Sequence, residues 1–191
     1  MIDIIIPTCK KYGDITDLLA EVALYSINCR EFIPIYGLEY SAARNRNIGL
    51  NKSAADFVIM MDDDITDLYP GWDNDLIQEL FRQPCVNIVS ARLMKDENTP
   101  APMMSNNYDF TQPFVFVKKV PTACIAFRRT NIRFDENFKG SGFEDDDFCL
   151  QMGGKIIIDN RVKVIHKNEM KNQQEYWQYN KEYFEKKWKR A

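Results

Sequence analysis

Paired cysteines, an excess of positive charge and long apolar runs are all missing from this 191-residue chain. Its five cysteines (Cys9, Cys29, Cys85, Cys124, Cys149) are odd in number and form no C-x-x-C pair, which argues against a disulfide framework or a zinc knuckle and for a reduced, cytoplasmic setting. The net charge of -3 gives no global electrostatic case for nucleic acid or anionic membrane. No apolar stretch approaches membrane-spanning length, and Met1 leads into Ile2 without a basic leader, so a soluble, untargeted chain is expected. Histidine occurs once, as His166, and a lone histidine is more often structural than a ligand. What remains is ordinary globular material: 45% hydrophobic, 28% charged and 13% aromatic residues, in a length suited to one domain.

Within it, Asp56-Phe57-Val58-Ile59-Met60-Met61-Asp62-Asp63-Asp64 reads as a buried strand ending in three carboxylates. Alternation along an extended chain points Asp62 and Asp64 the same way and Asp63 the other. Carboxylates this close repel, and a divalent cation with oxygen ligands removes the cost. A solvated acidic turn is the plainer alternative.

Around that strand the chain alternates. Ile2 to Ile6 is a strand closed by Pro7-Thr8; Asp14 caps a helix over Ile15 to Asn28; Phe32 to Tyr36 is a short strand whose Pro34 suggests an edge or an irregular position. Ser41 caps a helix running to Ala54, with Arg44 near its N-terminus as a phosphate contact or a surface arginine paired with a carboxylate. Trp72 to Phe81 is an amphipathic helix and Val86 to Ala91 a strand. Lys95 to Gln112 is a long polar excursion, either touching an acceptor or a mere insertion. Phe114 to Lys118 and Ala123 to Arg128 follow without a helix between them, an antiparallel addition. Gly140 to Leu150 runs a glycine turn into a helix headed by Glu144-Asp145-Asp146-Asp147, more acid than a helix dipole requires, which points to a working base. Lys155 to Ile158 and Val162 to Ile165 are strand-like, with His166 at the end of the second. Gln173 to Lys189 is a helix whose Trp177, Phe184 and Trp188 stripe is expected to pack on the sheet, with basic residues from Lys186 to Arg190.

Together these stretches resemble the family 2 glycosyltransferases, which use nucleotide-sugar donors on the GT-A fold. The resemblance is carried by Ile5-Ile6-Pro7-Thr8, Ser41-Ala42-Ala43-Arg44-Asn45, Met61-Asp62-Asp63-Asp64 as an Asp-x-Asp motif, Thr122-Ala123-Cys124, Phe134-Asp135-Glu136, Phe143 to Phe148 as a Glu-Asp motif, His166, and Asn180 to Trp188. It implies an α/β, Rossmann-like GT-A domain over residues 1–191, with a mostly parallel sheet, helices on both faces and a small antiparallel addition. Residues 1–94 would form the donor half, 95–169 the acceptor half and 170–191 a closing helix. By the same resemblance Asp62, Asp64 and His166 would hold Mn²⁺ or Mg²⁺ on the donor diphosphate, and Pro7, Thr8, Arg44, Asp62 and Asp63 would line the donor, a UDP-sugar first among candidates. Asp145, with Glu144 beside it, would be the base of an inverting hexosyl- or pentosyltransferase. The acceptor would be a hydroxyl of a saccharide or of a hydroxymethylated base in phage DNA, with no membrane partner. The chain departs from the family pattern twice: Ile35-Tyr36-Gly37 lacks the base-holding acid after the second strand, and Gln151 stands where an arginine is usual. A nucleotidyltransferase of related fold and a non-catalytic Ca²⁺/saccharide binder are the competing readings.

Overall fold

The computed structural model describes residues 1–9, 12–37, 41–104, 108–167 and 174–189. Strands β1 (Ile2–Thr8), β2 (Cys29–Tyr36), β3 (Phe57–Met61), β4 (Ile65–Thr66), β5 (Val86–Met94), β6 (Phe114–Val117), β7 (Cys124–Arg128) and β8 (Lys155–His166) form one sheet. Their order is β2-β1-β3-β7-β5-β8-β4, with β6 also pairing β8. β1, β2, β3, β5 and β8 share one direction, and β4, β6 and β7 oppose it. Helices α1 (Thr16–Tyr25), α2 (Ala42–Lys52), α3 (Trp72–Arg82), α4 (Glu144–Met152) and α5 (Gln174–Trp188) complete the α/β fold.

β1 is covered on both faces, with Ile2, Ile4, Ile5 and Ile6 all inaccessible. One covering element is α2, which approaches so closely that a Cβ at Gly49 would lie 2.2 Å from Ile5 Cγ2. The strand also carries a fully buried carboxylate, Asp3. It accepts from Arg30 Nε and Nη2 (2.8 and 2.6 Å), Ser53 Oγ (2.7 Å) and the Ala54 and Ala55 N–H groups (3.0 Å each). Burial alone would raise its pKa, yet these donors hold it below the usual range. Asp3 thereby locks the turn from α2 into β3, the strand that presents Asp62.

Several elements differ from expectation for identifiable reasons. α1 ends at Tyr25, short of Asn28, because the Asp73 carboxylate takes the Ile27 and Asn28 N–H groups at 3.0 and 2.9 Å. Asp14 lies in a 3-10 turn (Tyr12–Ile15), and Ile15, not Asp14, occupies the N-cap. The antiparallel addition is partly internal: β6 pairs β8, but β7 is inserted between β3 and β5. The two late strand stretches are one strand, β8, with an irregularity where Ala91 pairs Asp159 and Arg92 pairs Lys163. The Lys95–Gln112 excursion has Ala101 and Met104 buried against the core, while residues 105–107 lie outside the described residues.

Where its stripe is expected on the sheet, the described contacts of α5 centre on the segment that precedes α4. Its fully buried Asn180 accepts from the Lys139 N–H (2.9 Å) and donates to the carbonyls of Lys139 and Gly142 (2.8 and 3.0 Å). Lys187 Nζ reaches Asp135 and Asp147 (both 2.7 Å), and Trp188 Nε1 donates to Asp147 (2.9 Å). Trp177 and Phe184 flank Phe143 at ring separations of 4.6 and 5.5 Å. α5 is thus a brace on the turn that launches α4, and its polar anchors are as important as its aromatic stripe. Gln173 and Arg190 lie outside the described residues.

Candidate active site

The C-terminal ends of the co-directional strands converge on one edge of the sheet, where open α/β folds place their ligands. Met61 ends β3, and the Asp62 N–H is held by the Ala123 carbonyl at 2.8 Å. A turn over Asp63 and Asp64 leads into two-residue β4, whose pairing with β8 sets Ile65 opposite His166. That short pairing brings an imidazole from a hundred residues away against the acids. His166 Nε2 is 3.0 Å from Asp64 Oδ1 and 4.0 Å from Asp62 Oδ2. The candidate ligand atoms of Asp62, Asp64 and His166 lie within 4.8 Å of one another. Asp62 and Asp64 do face the same way and Asp63 another, but a turn and not strand alternation achieves it. Asp63 accepts from Thr8 Oγ1 at the end of β1.

Two carboxylates and one imidazole fit a divalent cation such as Mn²⁺, which tolerates a nitrogen ligand better than Mg²⁺ does. The electrostatics fit as well. Burial and the charges of Asp145 and Asp64 push Asp62 upward, with Arg46 and His166 opposing. Burial would lower His166, but its hydrogen bond to Asp64 and the Asp62 and Asp64 charges raise it overall. A cluster that pulls protons onto itself is one in which a bound cation relieves real repulsion. Among the described residues His166 Nδ1 is buried without a hydrogen-bond partner, and the Nε2 side faces the two acids.

Opposite stands the acid-headed α4. Its N-cap, Phe143, holds a left-handed backbone at φ 70°, an uncommon conformation for a bulky residue, stabilised here by the Trp177 and Phe184 rings. Glu144 is buried and pushed up to about 7 by burial and the Asp145 charge, against the pull of Arg46. Asp145 is 26% exposed; its Oδ1 accepts from Thr122 Oγ1 and from Arg46 Nη1 (3.0 Å). Asp146 pairs with Lys119, and Asp147 turns away to anchor α5. The four consecutive acids therefore have separate duties, which removes the apparent excess at the helix start.

Arg46 joins the two clusters. It is 5% exposed, and its guanidinium reaches Asp62 Oδ1 (3.2 Å), Glu144 Oε1 (2.9 Å) and Asp145 Oδ1 (3.0 Å), above the Phe134 ring. Arg44, the arginine expected at the donor, is exposed on the first turn of α2, and its N–H donates to Ser41 Oγ. The signal for Arg46 was present: it shares the inward stripe of Ala43 and Leu50 at i, i+3 and i+7 spacing. Ser41 is the N-cap as expected. Pro7 lies in β1 beside Ile35 of β2, and Gln151 bonds Asp147 (2.6 Å) and so serves α4 internally.

No protein-family model matches the sequence. No curated protein matches it either. Solved structures do. GalNAc-T7 with UDP, GalNAc and Mn²⁺ superposes with a TM-score of 0.69 at 11% identity, over 87% of this chain and 43% of its own. S. aureus TarS in complex with UDP-GlcNAc gives 0.67 at 14% identity, over 96% of this chain and 65% of its own. TarS with UDP gives 0.64 at 14% identity, over 86% and 59%. The chain thus spans less than two thirds of each of these proteins. At such identities the likeness speaks for the fold, and the fold is the GT-A architecture of those glycosyltransferases.

Proposed function

We propose that this chain is a metal-dependent, inverting glycosyltransferase that moves a sugar from a UDP-sugar to an acceptor hydroxyl. The carrying observation is the convergence of Asp62, Asp64 and His166 on one side of Arg46 with Asp145 on the other. Asp62, Asp64 and His166 would hold Mn²⁺, whose chemistry is to neutralise charge growing on the diphosphate leaving group. Thr8 and Asp63, hydrogen-bonded to each other at the ends of β1 and β3, suit the nucleotide, with Pro7 beside them. Arg44, at the N-terminal turn of α2, suits the phosphates.

Asp145 is the base. Thr122 and Arg46 both bind Oδ1, so Oδ2 is the oxygen left to take the proton of the acceptor hydroxyl. The acceptor oxygen then bonds to the anomeric carbon from the face opposite the diphosphate, the old C–O bond breaks, and nucleoside diphosphate leaves with that electron pair. Configuration inverts because attack and departure are on opposite faces. Glu144 does not reach out to substrate in this scheme: it is buried on Arg46 and on the Gly142 N–H, and it shapes the helix start. A saccharide hydroxyl suits the chain better than a base in DNA, because Lys187 of the basic end is held by Asp135 and Asp147.

Slow hydrolysis of UDP-glucose and UDP-GlcNAc, followed as UDP release, tests the proposal without knowledge of the acceptor. Release that requires Mn²⁺ and inverts the released sugar supports it. Nucleoside monophosphate and sugar phosphate as products would indicate cleavage within the pyrophosphate instead, and no turnover despite binding would favour a binding protein.

A further inference from the structure

We infer that Arg46 is a positioning residue that ties the cation-binding aspartate to the base, acting through Asp62 and Asp145 and not as a ligand of donor phosphate. The inference rests on the transferase reading above. Each carboxylate involved is divided between two tasks. Asp62 gives Oδ1 to Arg46 and turns Oδ2 toward His166, and Asp145 gives Oδ1 to Arg46 and Thr122, which leaves Oδ2 for substrate. One guanidinium thereby fixes the rotamers of an acid at the end of β3 and of an acid on α4, elements whose relative placement no other described ion pair sets.

The chemistry of the side chain suits this task. Arginine is planar and presents a rigid fork, and it stays charged when buried, as it must beside Asp62, Glu144 and Asp145. The Phe134 ring, 5.4 Å from the guanidinium carbon, closes one face. Glu144 supplies a second bond to Nη1, so the group is held from three directions within the protein. A lysine would bring the charge without the fork. A neutral residue would leave three carboxylates crowded together, and loss of orientation at the reacting centre follows in either case.

The test separates positioning from phosphate binding. In R46K, transfer or hydrolysis kcat is expected to fall about 100-fold, the scale of roughly 1 Å misplacement. Calorimetric affinity for UDP with Mn²⁺ is expected to stay within about threefold of wild type, since no donor contact is removed. In R46M, kcat falls further, while affinity for Mn²⁺ alone holds or tightens because a competing cation has left Asp62. Partial rescue by lysine in kcat alone is the signature. A loss of UDP–Mn²⁺ affinity of about tenfold or more with kcat preserved would make Arg46 a phosphate ligand and overturn the inference, as would an R46K enzyme equal to wild type in both. Wild-type protein gives a second reading should the variants not fold. With ¹⁵N-labelled arginine, one slowly exchanging guanidinium is expected to keep its protection on addition of UDP and Mg²⁺ and to show no coupling to ³¹P. A ³¹P coupling, or loss of protection, contradicts the inference. Absence of any UDP binding to wild type removes the transferase reading and this inference together.

Discussion

Replacing Asp145 by asparagine separates chemistry from binding. The amide keeps an oxygen at the Oδ1 position, so Thr122 and Arg46 retain an acceptor and the start of α4 stays in place. What disappears is the charge and the proton-accepting capacity of Oδ2. General-base assistance is worth roughly 10²–10⁴ in rate, or about 3–5.5 kcal/mol of transition-state stabilisation at ~1.4 kcal/mol per decade. Donor affinity is expected to move little and upward if at all. Asp145 is not one of the three cation-site residues, and removing its charge relieves one influence that pushes Asp62 toward protonation. The measurement is UDP release in the presence of a panel of simple glycosides, paired with calorimetry of UDP and Mn²⁺. D145N within about threefold of wild-type kcat would refute the assignment. Donor affinity lost in proportion to rate would place Asp145 in the donor site instead.

Two further outcomes concern the brace formed by α5. Burial would raise Asp135, but Lys187, the Asn137 N–H and Tyr183 hold it down at about 2, against an ordinary 3.8. A depressed carboxyl contributes stability that is present above pH 4 and disappears as pH falls toward 2, worth about 2 kcal/mol here. Urea unfolding of D135N should therefore show a weaker loss between pH 4 and 2 than wild type, and equal slopes would refute the pairing. Asn180→Ala strips a fully buried side chain from one N–H and two well-placed carbonyls of the turn before α4. At about 1–3 kcal/mol for each buried group left unsatisfied, a loss near 3 kcal/mol is expected in the same assay, and one under about 0.5 would show that the brace carries no load.

The sequence shows the sheet and the acids plainly because both are local signals. An apolar run stopping just before Asp62 reads as a buried strand with carboxylates at its end, and the burial of Ile2 to Ile6 follows from the same logic. What it conceals is non-local. Arg44 and Arg46 are two positions apart on one helix; the spacing with Ala43 and Leu50 turns Arg46 inward, but only the placement of α4 across from α2 gives it Glu144 and Asp145 as partners. His166 reaches the acids through a two-residue strand too short to leave a pattern. The insertion of β7 between β3 and β5 depends on long-range pairing, and the docking of α5 on Asp135, Asp147 and the turn at residues 139–142 depends on polar groups that hydrophobic periodicity ignores.

The cation grip on the donor is most directly tested by titrating UDP into wild-type protein and D64A, each with Mn²⁺ and with EDTA. Wild type should bind at least about tenfold more tightly with Mn²⁺, and D64A should bind equally in both buffers, because removing one of three ligands leaves the phosphates no bridge to Asp62 and His166. Identical wild-type affinities in Mn²⁺ and EDTA, or an undiminished Mn²⁺ effect in D64A, would contradict it.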